Sequence, residues 1–374
     1  MEAYSVRQYT EGDENGIVPL LREVFNGWPH LDTAGDSLEY WHWKFASDMY
    51  GEKLIVVAFA GPRIVGAIHS VPVKIKLFDK THLGNLGGDV AVQTDYRKLG
   101  VWKAILQKAN EIRRVKNVEW LYNVTANPII IDTFKQMKEF KEFPVPVANL
   151  TRIRDIDKQL QMMPTKNQSV KKIGFNVLKI HNRLVNEPKL KTVKHGKIQV
   201  RDIDQFDERI NKFWESIAPQ YDYIIERKRD FLNWRYLDPR VGGFTVKQAE
   251  EKGEVLGFIV TRTNKFSKDY PIGYIVDLLT LPERKDAAHA LVTEAVKQLD
   301  EENINIVNYQ IAKGHPYEEI LNTHGFIDSR MKIGIFYNPL LGEERIGDLT
   351  KLAPERTYVS WGDYDTLPVK TEKT

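Results

Sequence analysis

The hydrophobic positions in the first third of the chain change from a helical spacing to continuous apolar runs. A first strand around 4–7 is followed by apolar residues at the 3.6-residue spacing of an amphipathic helix: Ile17, Leu20, Leu21, Val24 and Phe25. Apolar runs rich in β-branched residues then predict strands at 54–60, 64–70, 73–77, around Asp89 and at 120–125, with a helix over 100–114. This order predicts a mostly antiparallel sheet that enters a βαβ unit, within a mixed α/β fold.

The pattern occurs twice in the same order. The repeated positions are Val6 and Val200, Trp43 and Trp234, Gly66 and Gly257, Asp89 and Asp277, and Phe140 and Phe326. A nearly constant offset over so many positions indicates two copies of one domain. We therefore predict domains at 1–150 and 198–365, joined by a linker at 151–197 and followed by a tail at 366–374.

The segment from Gly87 to Trp102 leads from a β-branched strand, through basic residues and a glycine, into a helix. Backbone N–H groups in the first turn of a helix have no partner within the helix, and the helix dipole adds partial positive charge. A phosphate is held well at such a place, and Gly100 would let the backbone approach it closely. The segment therefore predicts an anion cradle.

Asp-Val-Ala-Val, followed by Arg97-x-x-Gly100-x-Trp102, resembles the pyrophosphate signature of the GNAT superfamily of acyl-CoA-dependent N-acetyltransferases. The resemblance covers nearly the whole chain and implies two GNAT-like domains, each with flanking helices and a twisted sheet in which one parallel strand pair splays apart. It also implies acetyl-CoA as the co-substrate. Trp102 departs from the family pattern, which has glycine or alanine there. The residues implied to bind the cofactor are Val90, Ala91, Val92, Arg97, Lys98, Leu99, Gly100, Val101, Trp102 and Asn127.

Acyl transfer from a thioester to an amine needs a base, an oxyanion donor and a proton for the departing thiolate. The resemblance implies Asp89 as the base, with a loop or helix cap as its alternative role. The family's usual acid, a tyrosine, is replaced here by Phe134, so Tyr122 is predicted as a substitute, with Tyr96 as a further possibility. Packing is the alternative role for both tyrosines.

An aromatic cluster between residues 28 and 45 lies, by the same resemblance, beside the acceptor groove. We assign Trp28, His30 and Trp41 to the acceptor site. Aromatic clusters also fill cores and domain interfaces, and the recurrence of Trp43 as Trp234 in the second copy favours that alternative.

The second copy has Arg284-Lys285-Asp286-Ala287-Ala288-His289 where the first has its cradle. It lacks the glycine, and its aspartate would repel a phosphate. We therefore predict a catalytic first domain and a degenerate second one.

The composition sets further limits. A net charge of +3 and the lack of a recognition motif argue against nucleic-acid binding, and the absence of cysteine excludes thiol chemistry and disulfides. We expect no metal, no membrane span and a cytoplasmic protein; no secretory signal is evident at the N-terminus. The stretch 158–197 has ten basic residues against one acidic residue, which indicates either a solvated linker or a collar that attracts anionic ligands.

Together these features predict an acetyl-CoA-dependent N-acetyltransferase that acts on a primary amine of a small molecule, possibly an amino sugar. Two alternatives stay open. One is a non-catalytic module that binds acyl-CoA or a sugar, and the other is an aminoacyl transferase with an aminoacyl-tRNA donor.

Overall fold

The computed structural model describes residues 3–30, 32–47, 49–50, 53–161, 176, 196–264 and 270–364. The predicted basic segment at 158–197, apart from its ends and residue 176, and the tail at 366–374 lie outside the described residues. The strands of the described residues form two sheets. They are β1 Ser5–Gln8, β2 Val56–Ala60, β3 Arg63–Leu77, β4 Lys80–Val92, β5 Trp120–Thr125, β6 Lys141–Glu142, β7 Val147–Ile153, β8 Gln199–Asp202, β9 Tyr223–Ile225, β10 Phe244–Glu251, β11 Glu254–Asn264, β12 Ile272–Thr280, β13 Ile306–Ala312, β14 Ile327–Asp328 and β15 Gly334–Asn338.

Helices flank both sheets. They are α1 Glu14–Val24, α2 Ser37–Phe45, α3 Val101–Val115, α4 Pro128–Gln136, α5 Ile156–Gln161, α6 Arg209–Ile217, α7 Arg229–Leu232, α8 Lys285–Glu301, α9 Tyr317–Thr323 and α10 Glu343–Ile346. The start of α2 shows how local sequence sets a boundary. The Asp36 carboxylate accepts hydrogen bonds from the backbone N–H groups of Leu38 and Glu39, and the Glu39 side chain accepts one from the N–H of Asp36. This reciprocal capping box satisfies N–H groups that the helix itself cannot pair.

The first sheet has the strand order β1-β2-β3-β4-β5-β15-β6, and the second has β14-β7-β13-β12-β11-β10-β8. Most neighbouring strands are antiparallel; β4 with β5 and β12 with β13 are the parallel pairs. This is the mixed α/β architecture predicted from the sequence.

Each half of the chain gives strands to the sheet of the other half. Strand β7 pairs with β13 in the second sheet, whereas β15 pairs with β5 and β9 pairs with β3 in the first. The boundary that we placed at residue 150 therefore falls inside a strand of the second sheet. No strand was predicted at 147–153, and a local pattern carries no information about which of two similar sheets a strand joins.

The two halves also share one continuous hydrophobic core. Trp43 and Trp234, which occupy equivalent positions in the two copies, stack with their ring centroids 5.4 Å apart. Each indole N–H donates a hydrogen bond to the backbone carbonyl of the other residue, at 2.8 and 3.0 Å. This reciprocal contact relates the two domains by approximate two-fold symmetry.

Candidate active site

The site of the first domain begins where β4 and β5 separate. The two strands pair in parallel only from Gly84 opposite Trp120 to Leu86 opposite Tyr122. Just beyond, a Cβ on Gly87 would lie 1.9 Å from the side-chain oxygen of Asn123, so a larger residue at this vertex would require the Asn123 side chain to move. The strands then diverge and leave a wedge between them, as predicted for the strands that carry Asp89 and Tyr122.

A bulge in β4 accompanies the divergence. Ile68 on β3 lies opposite Val90, but Ser70 lies opposite Gly87, so two residues of β4 face the single residue His69. Bulges of this kind bend a strand and redirect its side chains. Here the bulge contains Asp89.

The open end of the wedge is a cavity of about 420 Å³ lined by Val24, Val90, Val92, Arg97 and Trp102. The structure therefore brings together four of the predicted cofactor-binding residues. The Arg97 side chain donates a hydrogen bond to the Val92 carbonyl at 3.1 Å. Ala91 and Val101 are buried in the packing on either side of the sheet and do not line the cavity.

Helix α3 starts beside this cavity. Gly100 precedes it with a φ of 81°, the left-handed conformation that glycine adopts readily, and no side chain caps the first turn. Lys98, Leu99, Trp102 and Lys103 are exposed around this helix start. Uncapped N–H groups, the helix dipole and nearby cations coincide at this helix start, as an anion cradle requires, and anion binding there stays a prediction.

Asp89 forms a buried ion pair. Its Oδ2 accepts hydrogen bonds from the Trp28 indole N–H and from the Lys44 ammonium group, both at 3.0 Å. Burial by itself raises the pKa of the Asp89 carboxyl, but the Lys44 charge and these hydrogen bonds outweigh it and hold the pKa below its usual value. The carboxylate is therefore ionised at neutral pH, and its side chain is 15% exposed.

His69 supports this arrangement and was missed in the sequence analysis. Its Nδ1 donates to the Asp89 carbonyl at 2.8 Å, and its Nε2 accepts a hydrogen bond from the Trp41 indole at 3.1 Å. Burial lowers the pKa of His69 to about 4, so the ring is neutral and held in one tautomer. The available signal was a histidine in the middle of an apolar strand.

Two predicted residues lie in the core instead of the site. Trp41 is completely buried and contacts His69, so it does not line an acceptor groove; this prediction is corrected. Tyr122 is also completely buried, 6.2 Å from the Tyr223 ring, and burial raises its pKa well above the usual value. A phenol in that position is poorly placed to protonate a thiolate in the wedge, because its strand directs it into the shared core.

Three further residues have local structural roles. The Asn127 side chain accepts a hydrogen bond from the Ile129 N–H at 3.0 Å and caps α4, although the residue is exposed at the end of β5. His30 donates through Nε2 to the Phe25 carbonyl at 2.8 Å. Phe134, at the usual tyrosine position, stacks on Phe336 at 5.1 Å.

The second domain has the same wedge, but its own side chains fill it. Strands β12 and β13 pair from Ile272 to Ile275 and then diverge beside a comparable bulge. Leu278 and Thr280, the equivalents of Val90 and Val92, donate their backbone N–H groups to the hydroxyls of Tyr358 and Tyr317, at 3.0 and 2.8 Å. No side chain of the described residues forms such a bond with the N–H groups of Val90 and Val92.

Asp277, the equivalent of Asp89, is enclosed in a buried network. It accepts hydrogen bonds from Arg227 at 2.7 Å, Tyr236 at 2.8 Å and Tyr358 at 2.5 Å. Arg227 also bonds Asp363, and the side chains of Arg227, Asp277 and Asp363 are inaccessible to solvent. The hydrogen bonds of this carboxylate are therefore all made within the core, where solvent does not reach it.

The helix start of the second domain is neutralised as well. The Asp286 carboxylate accepts a hydrogen bond from the Ala287 N–H at 2.9 Å and pairs with Arg284, which also contacts Glu251. An anion would have to displace these contacts. Within the described residues, no group of three or more histidine, aspartate or glutamate side chains could hold a metal ion, and no helix is long and apolar enough to cross a membrane.

The comparisons with known proteins agree with this geometry. A sequence model described as an acetyltransferase (GNAT) domain matches residues 5–134, and one described as the acetyltransferase (GNAT) family matches residues 203–315. The fold and the site thus define an acyltransferase of the GNAT superfamily. The chain belongs to that superfamily and carries two of its domains in tandem. No curated protein is significantly similar to the chain in sequence.

Several solved structures share the fold. N-myristoyltransferase of Saccharomyces cerevisiae with bound myristoyl-CoA has a TM-score of 0.59 and 10% identity, over 91% of this chain and 79% of that one. A GCN5-related N-acetyltransferase from Anabaena variabilis has a TM-score of 0.58 and 10% identity, over 90% and 73%. A conserved Enterococcus faecalis protein of unknown function, described as a probable N-acyltransferase, has a TM-score of 0.60 and 11% identity, over 91% and 73%.

Proposed function

We propose that this protein transfers an acyl group from one molecule of acyl-CoA, bound in the first domain, to a primary amine. The observation that carries the proposal is the contrast between the open wedge beside Gly100 and the filled wedge of the second domain. Val90 and Val92 would pair with the pantetheine arm as an added strand does, and the start of α3 would hold the pyrophosphate.

The chemistry assigned to Asp89 follows from its hydrogen bonds. Both recorded donors, Trp28 and Lys44, bond Oδ2, which leaves Oδ1 as the oxygen for an acceptor amine. We assign Asp89 the role of orienting that amine and taking its proton, directly or through water, as attack on the thioester proceeds. A backbone N–H group in the segment from Val90 to Val92 would stabilise the oxyanion of the tetrahedral intermediate.

The acceptor that we propose is a small primary amine, possibly an amino sugar, and the donor is acetyl-CoA. Trp28 lies next to the proposed acceptor position, because its indole N–H bonds the Asp89 carboxylate, although only 5% of the residue is exposed. Acyl-CoA donors with longer chains should be compared with acetyl-CoA, since a solved structure of similar fold holds myristoyl-CoA.

Two measurements test this proposal. Isothermal titration with acetyl-CoA should give one site per chain, and a thiol-release assay with amino sugars, amino acids and polyamines should give turnover with one of these classes. A stoichiometry near two would contradict the assignment of the donor site.

A non-catalytic binding module is the second candidate. It is favoured by one observation: Phe134 replaces the usual acid, and the proposed substitute Tyr122 is buried. Binding of acyl-CoA without thiol release from any amine in the panel would support it.

A further inference from the structure

One buried cation of the first domain has no carboxylate partner. Arg113, in the last turn of α3, is 2% exposed, and no ion pair of this residue is recorded within the part of the chain that the structure describes. Its guanidinium donates hydrogen bonds to the neutral side chains of Ser70 at 2.7 Å and Asn110 at 2.8 Å, and its buried Nε–H has no recorded acceptor. Burial lowers the pKa of Arg113 to about 10, so the group is still charged at neutral pH. A buried charge without a counter-charge is costly, which points to a partner from outside the chain.

Arg113 reaches the inner, closed end of the wedge. Ser70, which accepts its hydrogen bond, lies opposite Gly87 on β4, so both positions are on the sheet face that α3 covers. A Cβ on Gly87 would contact the Asn123 side chain, which therefore lies on that face too. Asn85, two residues before Gly87 and so also on that face, is completely buried, and neither its side-chain oxygen nor its nitrogen has a recorded partner. Ser70, Asn85, Arg113 and Asn123 thus form an inner polar cluster.

The second domain lacks this cluster at the equivalent place. At the ends of α3 and α8 the carbonyls of Arg113 and Leu299 each accept the N–H of the residue five positions later, which identifies the two residues as equivalents. Gly273 takes the place of Asn85 in the register of the parallel strands. Leu299 is 1% exposed and belongs to the hydrophobic core. The fold therefore does not require a charge or an amide at these positions.

The proposed donor site directs the acyl group toward the inner polar cluster, so this inference rests on the proposed function. With the pyrophosphate at the start of α3 and the pantetheine arm along Val92 and Val90, the acyl chain would continue toward Gly87. Gly87 and Asn123 are partly exposed there. No hydrogen bond of the Asn123 side chain is recorded among the described residues, so this side chain can turn aside without losing a partner. An acyl chain that displaced it would meet Arg113.

We propose that the first domain also accepts acyl-CoA donors whose acyl chain ends in a carboxylate, and that Arg113 binds this carboxylate at the inner end of the wedge. A guanidinium has five N–H donors, of which Ser70 and Asn110 occupy two, and it binds carboxylates in a bidentate manner. The Asn85 amide would supply a further N–H donor. The carboxylate takes no part in the transfer itself. The amide C–N bond forms and the thioester C–S bond breaks as with acetyl-CoA, and the amine proton ends on the CoA thiol.

Calorimetric titration of the full chain with two matched pairs of thioesters tests the proposal. Succinyl-CoA should bind at least tenfold more tightly than butyryl-CoA, or glutaryl-CoA than valeryl-CoA, because each pair differs only by a terminal carboxylate in place of a methyl group. The preference should persist at high salt, since a buried ion pair is screened much less than the exposed cations around the start of α3.

A substitution taken from the second domain assigns the preference to one residue. Arg113→Leu should lower the affinity for the carboxylate-ended donor at least tenfold and leave the affinities for acetyl-CoA and the neutral donors unchanged. Arg114→Leu is the matched control, because Arg114 is the next residue of α3 and is exposed, so its loss should not change the preference. Thermal melting shows whether Arg113→Leu is folded; the comparison of donors on the wild-type chain tests the proposal even if it is not.

Three results would overturn the proposal. If neither carboxylate-ended donor binds more tightly than its neutral partner while acetyl-CoA binds at one site, the inference is wrong and the proposed donor site stands. A preference that high salt abolishes, or that Arg113→Leu retains, would belong to the exposed cations instead. If none of the thioesters binds, the proposed function itself fails, and this inference fails with it.

Discussion

The two domains share a fold and differ in what occupies the wedge between the parallel strands. In the first domain the N–H groups of Val90 and Val92 face a cavity, whereas in the second the hydroxyls of Tyr358 and Tyr317 accept the equivalent N–H groups. Asp89 keeps 15% of its side chain exposed, whereas Asp277 has none. The same backbone architecture therefore leaves an open wedge in one copy and forms part of the core in the other.

This comparison shows how the same wedge can be left open or filled by side chains without a change of fold. A wedge between strands leaves backbone polar groups unpaired, and they need partners when buried. A ligand arm can supply those partners, or tyrosine hydroxyls can do so permanently. In the second domain the hydroxyls of Tyr358 and Tyr317 supply these partners, and Asp286 neutralises the helix start.

The largest difference is expected at the paired aspartates. Asp89→Asn should leave the affinity for acetyl-CoA unchanged and lower turnover by about 10²–10⁴, the usual contribution of a general base. Asp277→Asn should retain turnover in the folded fraction but lower the free energy of unfolding by about 3–5 kcal/mol, because Arg227 would lose one of its buried partners. Steady-state kinetics and chemical denaturation measure the two effects. Equal loss of turnover in both variants would mean that the second domain takes part in the reaction.

Acidic pH should lower the stability of the fold through one buried histidine in each domain. Burial lowers the pKa of His69 to about 4 and that of His315 to about 3, from 6.5. The unfolded chain therefore takes up these protons as the pH falls below 6.5, before the folded chain does. The stability that these neutral histidines contribute is therefore fully present above pH 6.5. It is lost as the pH falls below that value, by up to about 3 kcal/mol for His69.

Unfolding curves between pH 4 and 7 test this expectation. His69→Gln and His315→Gln should each flatten the decline. Only His69→Gln should also reduce turnover, because His69 bonds the Asp89 backbone whereas His315 accepts from the Tyr317 N–H in the filled wedge. A pH profile of stability that neither substitution changes would contradict the role of these histidines.

The helix starts should differ in their response to charge. Gly100→Glu should weaken acetyl-CoA binding at least tenfold, since it places an anion at the cradle and imposes strain at a φ of 81°. Gly100→Ala isolates the strain, because the nearest atom to its Cβ, the Tyr4 hydroxyl, is 3.6 Å away. In the second domain, Asp286→Ala should not create a second site, as the tyrosines still fill that wedge. If calorimetry showed two acetyl-CoA sites for Asp286→Ala, the charge of Asp286 alone would account for the lack of binding in the second domain.

The smallest effect is expected at the filled wedge itself. Tyr317→Phe removes the hydroxyl that accepts the Thr280 N–H and should lower the free energy of unfolding by about 1–3 kcal/mol, the cost of a buried donor left unpaired. Tyr96→Phe is the control in the first domain: Tyr96 is buried, yet no hydrogen bond is recorded for its hydroxyl within the described residues, so a much smaller change is expected. Equal changes would mean that the Tyr317 hydroxyl contributes nothing specific to the wedge.

Much of the architecture could be predicted from the sequence because its signals are local. The 3.6-residue period placed α1, and the apolar runs placed β2, β4 and β5, whereas the two strands predicted at 64–70 and 73–77 form the single strand β3 Arg63–Leu77. The repeated positions indicated two domains. The helix start after Gly100 was also predictable, since a strand, a basic turn, Gly100 and a helix follow one another directly; anion binding there stays a prediction. The roles of Asp89 and Asn127 in binding and catalysis stay predictions, although the structure locates both residues at the wedge end of the sheet.

Only the tertiary structure decided which of these residues face the wedge and which face the core. Tyr122 lies on the predicted strand β5, whereas Trp41 lies on α2, which was not predicted as a helix; the side chains of both are enclosed by residues far away in sequence. The exchange of β7 and β15 between the sheets, the Trp43 and Trp234 pair and the filling of the second wedge by Tyr317 and Tyr358 likewise depend on contacts across the chain. The sequence by itself determined the elements, the duplication and the inequality of the two helix starts, because these depend on neighbouring residues. The accessible site emerged only when two similar sheets packed on one core, because burial is a property of the whole fold.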